Sequence, residues 1–167
     1  MKTLFITGAA QGWFIGLYDI NSDALEALLA SGEFPLLKQT PGATMVNLCS
    51  VSSIHGLPLL AVYSASKFYV NGLTEALAIE WAKYDIRVTA VKPPLVNTQM
   101  GHSVRPELMA KFSVDMEPED VAAAIQRAAQ GRRTGYLLGK TSRVWGWLDK
   151  HLPEAGRHKL VRYLTNH

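Results

Sequence analysis

The chain has 167 residues, a formal charge of +3 and a sequence pI near 9.0, with 48% apolar and 19% charged residues. That composition suits one domain with a sizeable core and argues against wholesale disorder. The basic excess gathers at the end: six Lys or Arg lie between Lys140 and His167, against Asp149 and Glu154. The charge therefore says little about partners, and no reader motif for nucleic acid accompanies it. The single cysteine, Cys49, excludes an intrachain disulfide and fits a reducing compartment. No apolar stretch reaches the length of a membrane span. The start of the chain lacks the pattern of a signal peptide, so a cytoplasmic protein is expected.

In chain order, Leu4 to Thr7 reads as a buried strand closed by Gly8. Phe14 to Tyr18 is a second strand, ending at Asp19. Asn21 to Asp23 offer helix caps for a helix over Ala24 to Ala30. Met45 to Leu48 is a third strand leading into a Ser-rich turn. Tyr63 to Tyr84 has the apolar spacing of a long helix. Ile86 to Val91 is a fourth strand, stopped by Pro93 and Pro94. Pro118 opens a helix that runs to about Ala129, with Glu119 and Asp120 in its first turn and Gly131 beyond its end. Tyr136 to Leu138 is a last strand. Strands alternating with helices predict a doubly wound, mostly parallel α/β sheet with helices on both faces, in a single domain over 1–167.

Two spacings are short. Parallel neighbours need a crossover of a dozen or more residues, yet five residues, Gly8 to Gly12, separate Thr7 from Trp13. Thr7 to Gly12 opens like a glycine-rich phosphate loop, but the helix that should receive the phosphates does not follow. Asp19 comes 11 residues after Gly8, where about 20 are usual for a ribose-binding acid. Near 30–34 one helix runs into the tail of another with no strand between. The spacing implies segments absent near 11–13 and 30–34. Either the chain is a deletion form, or disordered segments have dropped out of a longer one. The second is preferred, because a chain cut so deeply should not fold well. A complete small protein with tight turns is the bland alternative.

Tyr63 and Lys67, at i and i+4, lie on one face of their helix. A phenol titrates near 10, too high for proton traffic at neutral pH, and a nearby ammonium favours the phenolate. Tyr63 then exchanges a proton with a carbonyl or alcohol oxygen. The motif alone is weak, but Ser50 sits 13 residues earlier at the mouth of the third strand, where a hydroxyl holds an oxygen as charge develops. Ser52 and Ser53 compete for that role, although turn-forming serines are their plainer reading. Pro93 to Thr98 follow the next strand, and their backbone groups suit a nicotinamide amide. Ligands of open α/β sheets bind at the carboxyl ends of strands, where all these segments are expected.

Together, Thr7-Gly8-Ala9-Ala10-Gln11, Tyr18-Asp19, Asn47-Leu48-Cys49-Ser50, Tyr63-Ser64-Ala65-Ser66-Lys67 and Pro93 to Thr98 resemble successive landmarks of the short-chain dehydrogenase/reductase family. The resemblance covers nearly the whole chain. It implies reversible hydride transfer between a nicotinamide cofactor and a secondary alcohol or ketone. It assigns Tyr63 as acid/base, Lys67 as the group that lowers its pKa and bonds the nicotinamide ribose, and Ser50 as the residue that orients the substrate oxygen. Gly8, Gln11, Asp19, Pro93, Val96 and Thr98 fall on the cofactor. Asp19 favours NAD over NADP, since a carboxylate accepts from a 2′-hydroxyl and repels a 2′-phosphate; NADP is not excluded. A homo-oligomer, dimer or tetramer, is implied through the helix bearing Tyr63 and Lys67.

Three features depart from the family pattern. The Asn-Asn-Ala-Gly motif with its catalytic Asn is missing, and Asn47, on another strand, is no substitute. Pro94 stands where Gly is usual. Gly12 has no assigned role. A catalytically inactive scaffold or regulatory subunit is the alternative if the deletions are real.

The remaining features are weaker. His55 either touches substrate or is a loop histidine. The histidines show no metal-ligand spacing, so no metal is expected. His102 to Met116 either forms an apolar lid over the substrate or packs on the core. The Trp-bearing tail is read as an amphipathic helix packed on its own domain, in preference to a membrane-surface or subunit contact.

Overall fold

The computed structural model describes residues 5–8, 13–16, 33–98 and 116–165. Its strands are β1 (Phe5–Gly8), β2 (Trp13–Gly16), β3 (Thr44–Leu48), β4 (Arg87–Lys92) and β5 (Gly135–Leu137). They form one sheet in the order β1-β2-β3-β4-β5. β2, β3, β4 and β5 are parallel neighbours, whereas β1 runs antiparallel to β2. The mostly parallel sheet is as expected. Among the described residues the strand order follows the chain, without the reversal that marks a switch point.

The helices are α1 (Glu33–Gln39), α2 (Ala61–Glu80), α3 (Pro118–Gln130), α4 (Lys140–His151) and α5 (Glu154–Thr165). The expected helix over 24–30 lies outside the described residues. The strand alternation of β3 sorts the helices onto two faces. Met45 packs with Leu77 and Trp81 of the α2 side, together with Leu37 of α1 and Val88 of β4. Val46 packs with Val121, Ala124 and Ala128 of α3 and with Val91 of β4. Both faces are covered, so β3 and β4 are buried except at Leu48, Arg87 and Lys92 at their ends.

α2 is shorter than the expected helix. It stops at Glu80, and a 3-10 turn over Ala82–Tyr84 follows. Asp85, in the left-handed region with φ 57°, turns the chain into β4. α3 matches its sequence signals: Pro118 is in the first turn, and the Asp120 carboxylate accepts from the Glu117 N–H at 3.1 Å. The C-terminal tail forms two helices, with Pro153 just before α5. Among the described residues, no helix is long and apolar enough to cross a membrane.

The strands on either side of the short span after Gly8 pair antiparallel, with Gly8 opposite Trp13. Trp13 is in turn level with Thr44, and Thr44 with Arg87, at the beginnings of β3 and β4. Gly8 therefore stands at the N-terminal edge of the parallel strands.

Candidate functional site

β3 ends at Leu48, and the chain leaves the sheet through Cys49, whose N–H donates to Val91 O at 2.8 Å. Ser50 follows as the N-cap of a 3-10 turn over Val51–Ser53. The Val51 N–H reaches Pro93 O at 3.1 Å, so the segments after β3 and β4 meet at one sheet edge. Ser53 donates its hydroxyl to Ser50 O at 2.7 Å, and the Ser52 N–H donates to Ser50 Oγ at 3.3 Å. Both serines thus take the turn-forming role. Ser52 Oγ also shares a hydrogen bond of 2.8 Å with Ser50 Oγ, which orients the Ser50 hydroxyl.

α2 delivers Tyr63 and Lys67 to the same edge. Its N-cap, Leu60, makes no side-chain cap. The entry is held instead by Ser64, whose Oγ accepts from the Leu57 N–H at 3.1 Å. Tyr63 lies half-buried in the first turn, with its phenol hydrogen-bonded to Ser50. Lys67 Nζ donates to Leu48 O at 3.3 Å and stands 5.6 Å from the centroid of the Tyr63 ring. Cys49 Sγ lies 3.2 Å from Lys67 O, closing the contact between β3 and α2.

The electrostatics differ from the sequence expectation. Burial pushes the Tyr63 phenol above its ordinary value of 10.0, the Ser50 hydrogen bond pulls it down, and Cys49 adds a further upward push. The expected lowering by Lys67 is not what governs this phenol. Its ammonium sits over the ring face, and desolvation of the phenolate is the larger effect.

Ser50, Tyr63, Lys67 and Pro93 are therefore brought together. Val96 and Thr98 continue the same segment: Val96 pairs with Met116 in an isolated bridge, and the Thr98 N–H returns to Val96 O at 2.8 Å. Gly8 is not gathered with them: it pairs with Trp13, level with Thr44 at the start of β3 and so at the edge opposite Ser50. Gln11 and Asp19 lie outside the described residues, although β2 itself ends at the edge where β3 ends. Of His102 to Met116, only Met116 is described, and it packs against the core beneath α3. Asn47 is fully buried, with Nδ2 donating to Thr74 Oγ1 at 2.8 Å, and takes no part in the site. His55 pairs with Asp149 of α4 at 3.2 Å. Sequence reasoning missed Ser52 as a partner of Ser50; its place two residues on, inside the same turn, is the signal that was available.

The short chain dehydrogenase family matches residues 14–109. A 3-oxoacyl-[acyl-carrier-protein] reductase of Synechocystis is 34% identical over 147 residues, which cover 86% of this chain and 59% of that protein. A 3alpha-hydroxysteroid dehydrogenase of Mediterraneibacter gnavus is 40% identical over 118 residues, covering 66% of this chain and 46% of the relative. The chain thus spans well under two thirds of either. Among solved structures, a short chain dehydrogenase of Burkholderia cenocepacia in complex with NADP superposes with a TM-score of 0.69 at 23% identity. That match covers 87% of this chain and 56% of the other and speaks for the fold. A 4-hydroxyisoleucine dehydrogenase complexed with NADH matches at 27% identity, with a TM-score of 0.56 over 71% of this chain and 54% of its own. A Ser and a Tyr-x-x-x-Lys helix gathered at the carboxyl edge of a Rossmann-like sheet, and a family match over more than half its length, make this chain a member of the short-chain dehydrogenase family.

Proposed function

We propose that the chain carries the catalytic part of an NAD(P)-dependent oxidoreductase that interconverts a secondary alcohol and a ketone. The observation that carries this reading is the meeting of Ser50, Tyr63 and Lys67 at one sheet edge, with the phenol hydrogen-bonded to Ser50. Relatives named as dehydrogenases and reductases, and solved relatives holding NADP or NADH, support it.

The bound nicotinamide supplies or accepts the hydride. In the reducing direction the Tyr63 phenol gives its proton to the substrate oxygen as the carbonyl carbon becomes an alcohol carbon. A phenol that burial keeps protonated is in the correct state for that step. The Ser50 hydroxyl, oriented by Ser52, donates to the same oxygen. Lys67 steadies the phenolate left behind and would hold the nicotinamide ribose. Pro93, Val96 and Thr98 would hold the nicotinamide amide. These residues fit the nicotinamide end of the cofactor.

The short spacing after Gly8 favours a second reading, an inactive scaffold or regulatory relative, if the deletions are real. Titration of the purified gene product with NADH separates the two. Saturable quenching of Trp fluorescence, with ketone-dependent oxidation of NADH lost in Tyr63→Phe, is expected for the enzyme. No NADH binding overturns it. The two short spans are proposed to be segments absent from the sequence as read, and a measured mass well above 18.4 kDa is expected. The substrate is proposed to be a small alcohol or carbonyl compound, and the assembly a homo-oligomer in the cytoplasm.

A further inference from the structure

Asp149 joins three elements. Its Oδ1 meets His55 Nδ1 at 3.2 Å, and its Oδ2 meets Arg157 Nη1 of α5 at 3.7 Å. The His158 ring, also from α5, stands edge-on to His55 with centroids 5.6 Å apart. The Asp149 side chain is 13% exposed and that of His55 is 16% exposed, so water competes weakly for this contact. One turn earlier in α4, Gly146 lets the helix lie close to the sheet. A Cβ there would come within 2.7 Å of Leu137 Cδ2 and 3.6 Å of Ile54 Cδ1. The α4–α5 pair thus grips Ile54 and His55 at once, by packing and by charge.

Ile54 caps the end of the turn that begins at Ser50, and His55 follows it directly. The turn is stiff: the Ser53 N–H donates to Ser50 O at 3.1 Å, the Ile54 N–H to Val51 O at 3.0 Å, and the Ser53 hydroxyl to Ser50 O at 2.7 Å. A stiff turn transmits a shift of His55 to Ser50, because little of it can be absorbed between them.

We infer that the C-terminal α4–α5 pair is a positioning element of the site, with Asp149 holding Ser50 against Tyr63 through His55. The inference takes its meaning for turnover from the reading of Ser50 and Tyr63 proposed above. Asp149 and His55 touch no reacting atom in it and act through the turn.

The experiment is residue-resolved titration of the full chain without cofactor, with tyrosines labelled at Cζ and followed by 13C NMR. Tyr63 is assigned by its absence in Tyr63→Phe. Because the Ser50 hydrogen bond lowers the phenol, Ser50→Ala moves the Tyr63 titration upward. Asp149→Asn and His55→Ala are expected to move it in the same direction, while His55→Gln, which keeps a donor for Asp149, leaves it near its original place. In a Ser50→Ala background, Asp149→Asn adds no further shift. Where the protein turns over a ketone, Asp149→Asn lowers kcat about tenfold with the KM for NADH unchanged. Absence of turnover with the titration shifts intact would sink the oxidoreductase reading and leave the positioning role standing. A Tyr63 titration that follows Ser50→Ala but ignores both Asp149→Asn and His55→Ala overturns the inference, as does one that ignores Ser50→Ala itself.

Discussion

Lys67 Nζ stands 5.6 Å from the centroid of the Tyr63 ring while donating to Leu48 O at 3.3 Å. The lysine is thereby anchored to the end of β3, with its ammonium over the ring face. Lys67→Met removes both anchor and charge. In an assay of ketone reduction, kcat is expected to fall about a hundredfold or more, the scale of assisted proton transfer. Lys67→Arg should restore little, because a planar guanidinium does not occupy the place of a compact ammonium.

The Tyr63 phenol also leaves a mark on stability. Its folded-state value lies above that of an unfolded tyrosine, so the folded protein holds the proton more tightly. The corresponding stability is fully present below the unfolded value, near 10, and is lost as pH rises through the higher folded value. Urea midpoints are expected to fall on the alkaline side more steeply for the parent than for Tyr63→Phe. Parallel alkaline limbs would refute this.

Leu59 adopts φ 64° in the loop leading to α2, with its side chain 47% exposed. A leucine in the left-handed region carries a cost of about 1–2 kcal/mol, which glycine avoids. Glycine in turn loses about 0.5–1 kcal/mol through its freer unfolded chain. Leu59→Gly is expected to stabilise the protein by about 0.5–1 kcal/mol in urea denaturation. Destabilisation would mean that the leucine side chain makes a contact worth more than the strain.

Asn47 and Thr74 tie β3 to α2 within the core. Asn47 Nδ2 donates to Thr74 Oγ1 at 2.8 Å, and Thr74 Oγ1 donates to Val70 O at 2.7 Å. Thr74→Val leaves the Asn47 amide unpaired in a site with 0% exposure and is expected to cost about 1–3 kcal/mol. Adding Asn47→Leu removes the stranded amide, so the double variant should unfold at higher urea than Thr74→Val alone. Simple additivity of the two losses would exclude the coupling.

Much of the site was legible because it is written locally. The i, i+4 spacing of Tyr63 and Lys67 fixes their relation on any helix, and the strand ending at Leu48 fixes where Ser50 emerges. The α3 boundaries follow from Pro118 and Gly131 with their dipole-matched acids. The missing pieces depend on long-range partners. Nothing near His55 in sequence announces Asp149, because their contact joins a loop to a helix far along the chain. The raised Tyr63 phenol was misjudged for a similar reason: a motif shows the ammonium but not the burial around it. The edge at which Gly8 sits is not written in its motif either, because it depends on how β1 pairs.

The β3–α2–β4 crossover has a consequence for assembly of the protein. A helix such as α2 forms within microseconds from local contacts, whereas parallel pairing of β3 and β4 must first close the long loop between them. Tyr63 and Lys67 therefore come into register early, on a helix with no oxygen yet opposite the phenol. Ser50 joins them only when the Cys49 N–H finds Val91 O and the Val51 N–H finds Pro93 O. Ser50 is thus brought opposite the phenol only when β4 docks on β3, so ketone reduction regained during refolding is expected to report that docking.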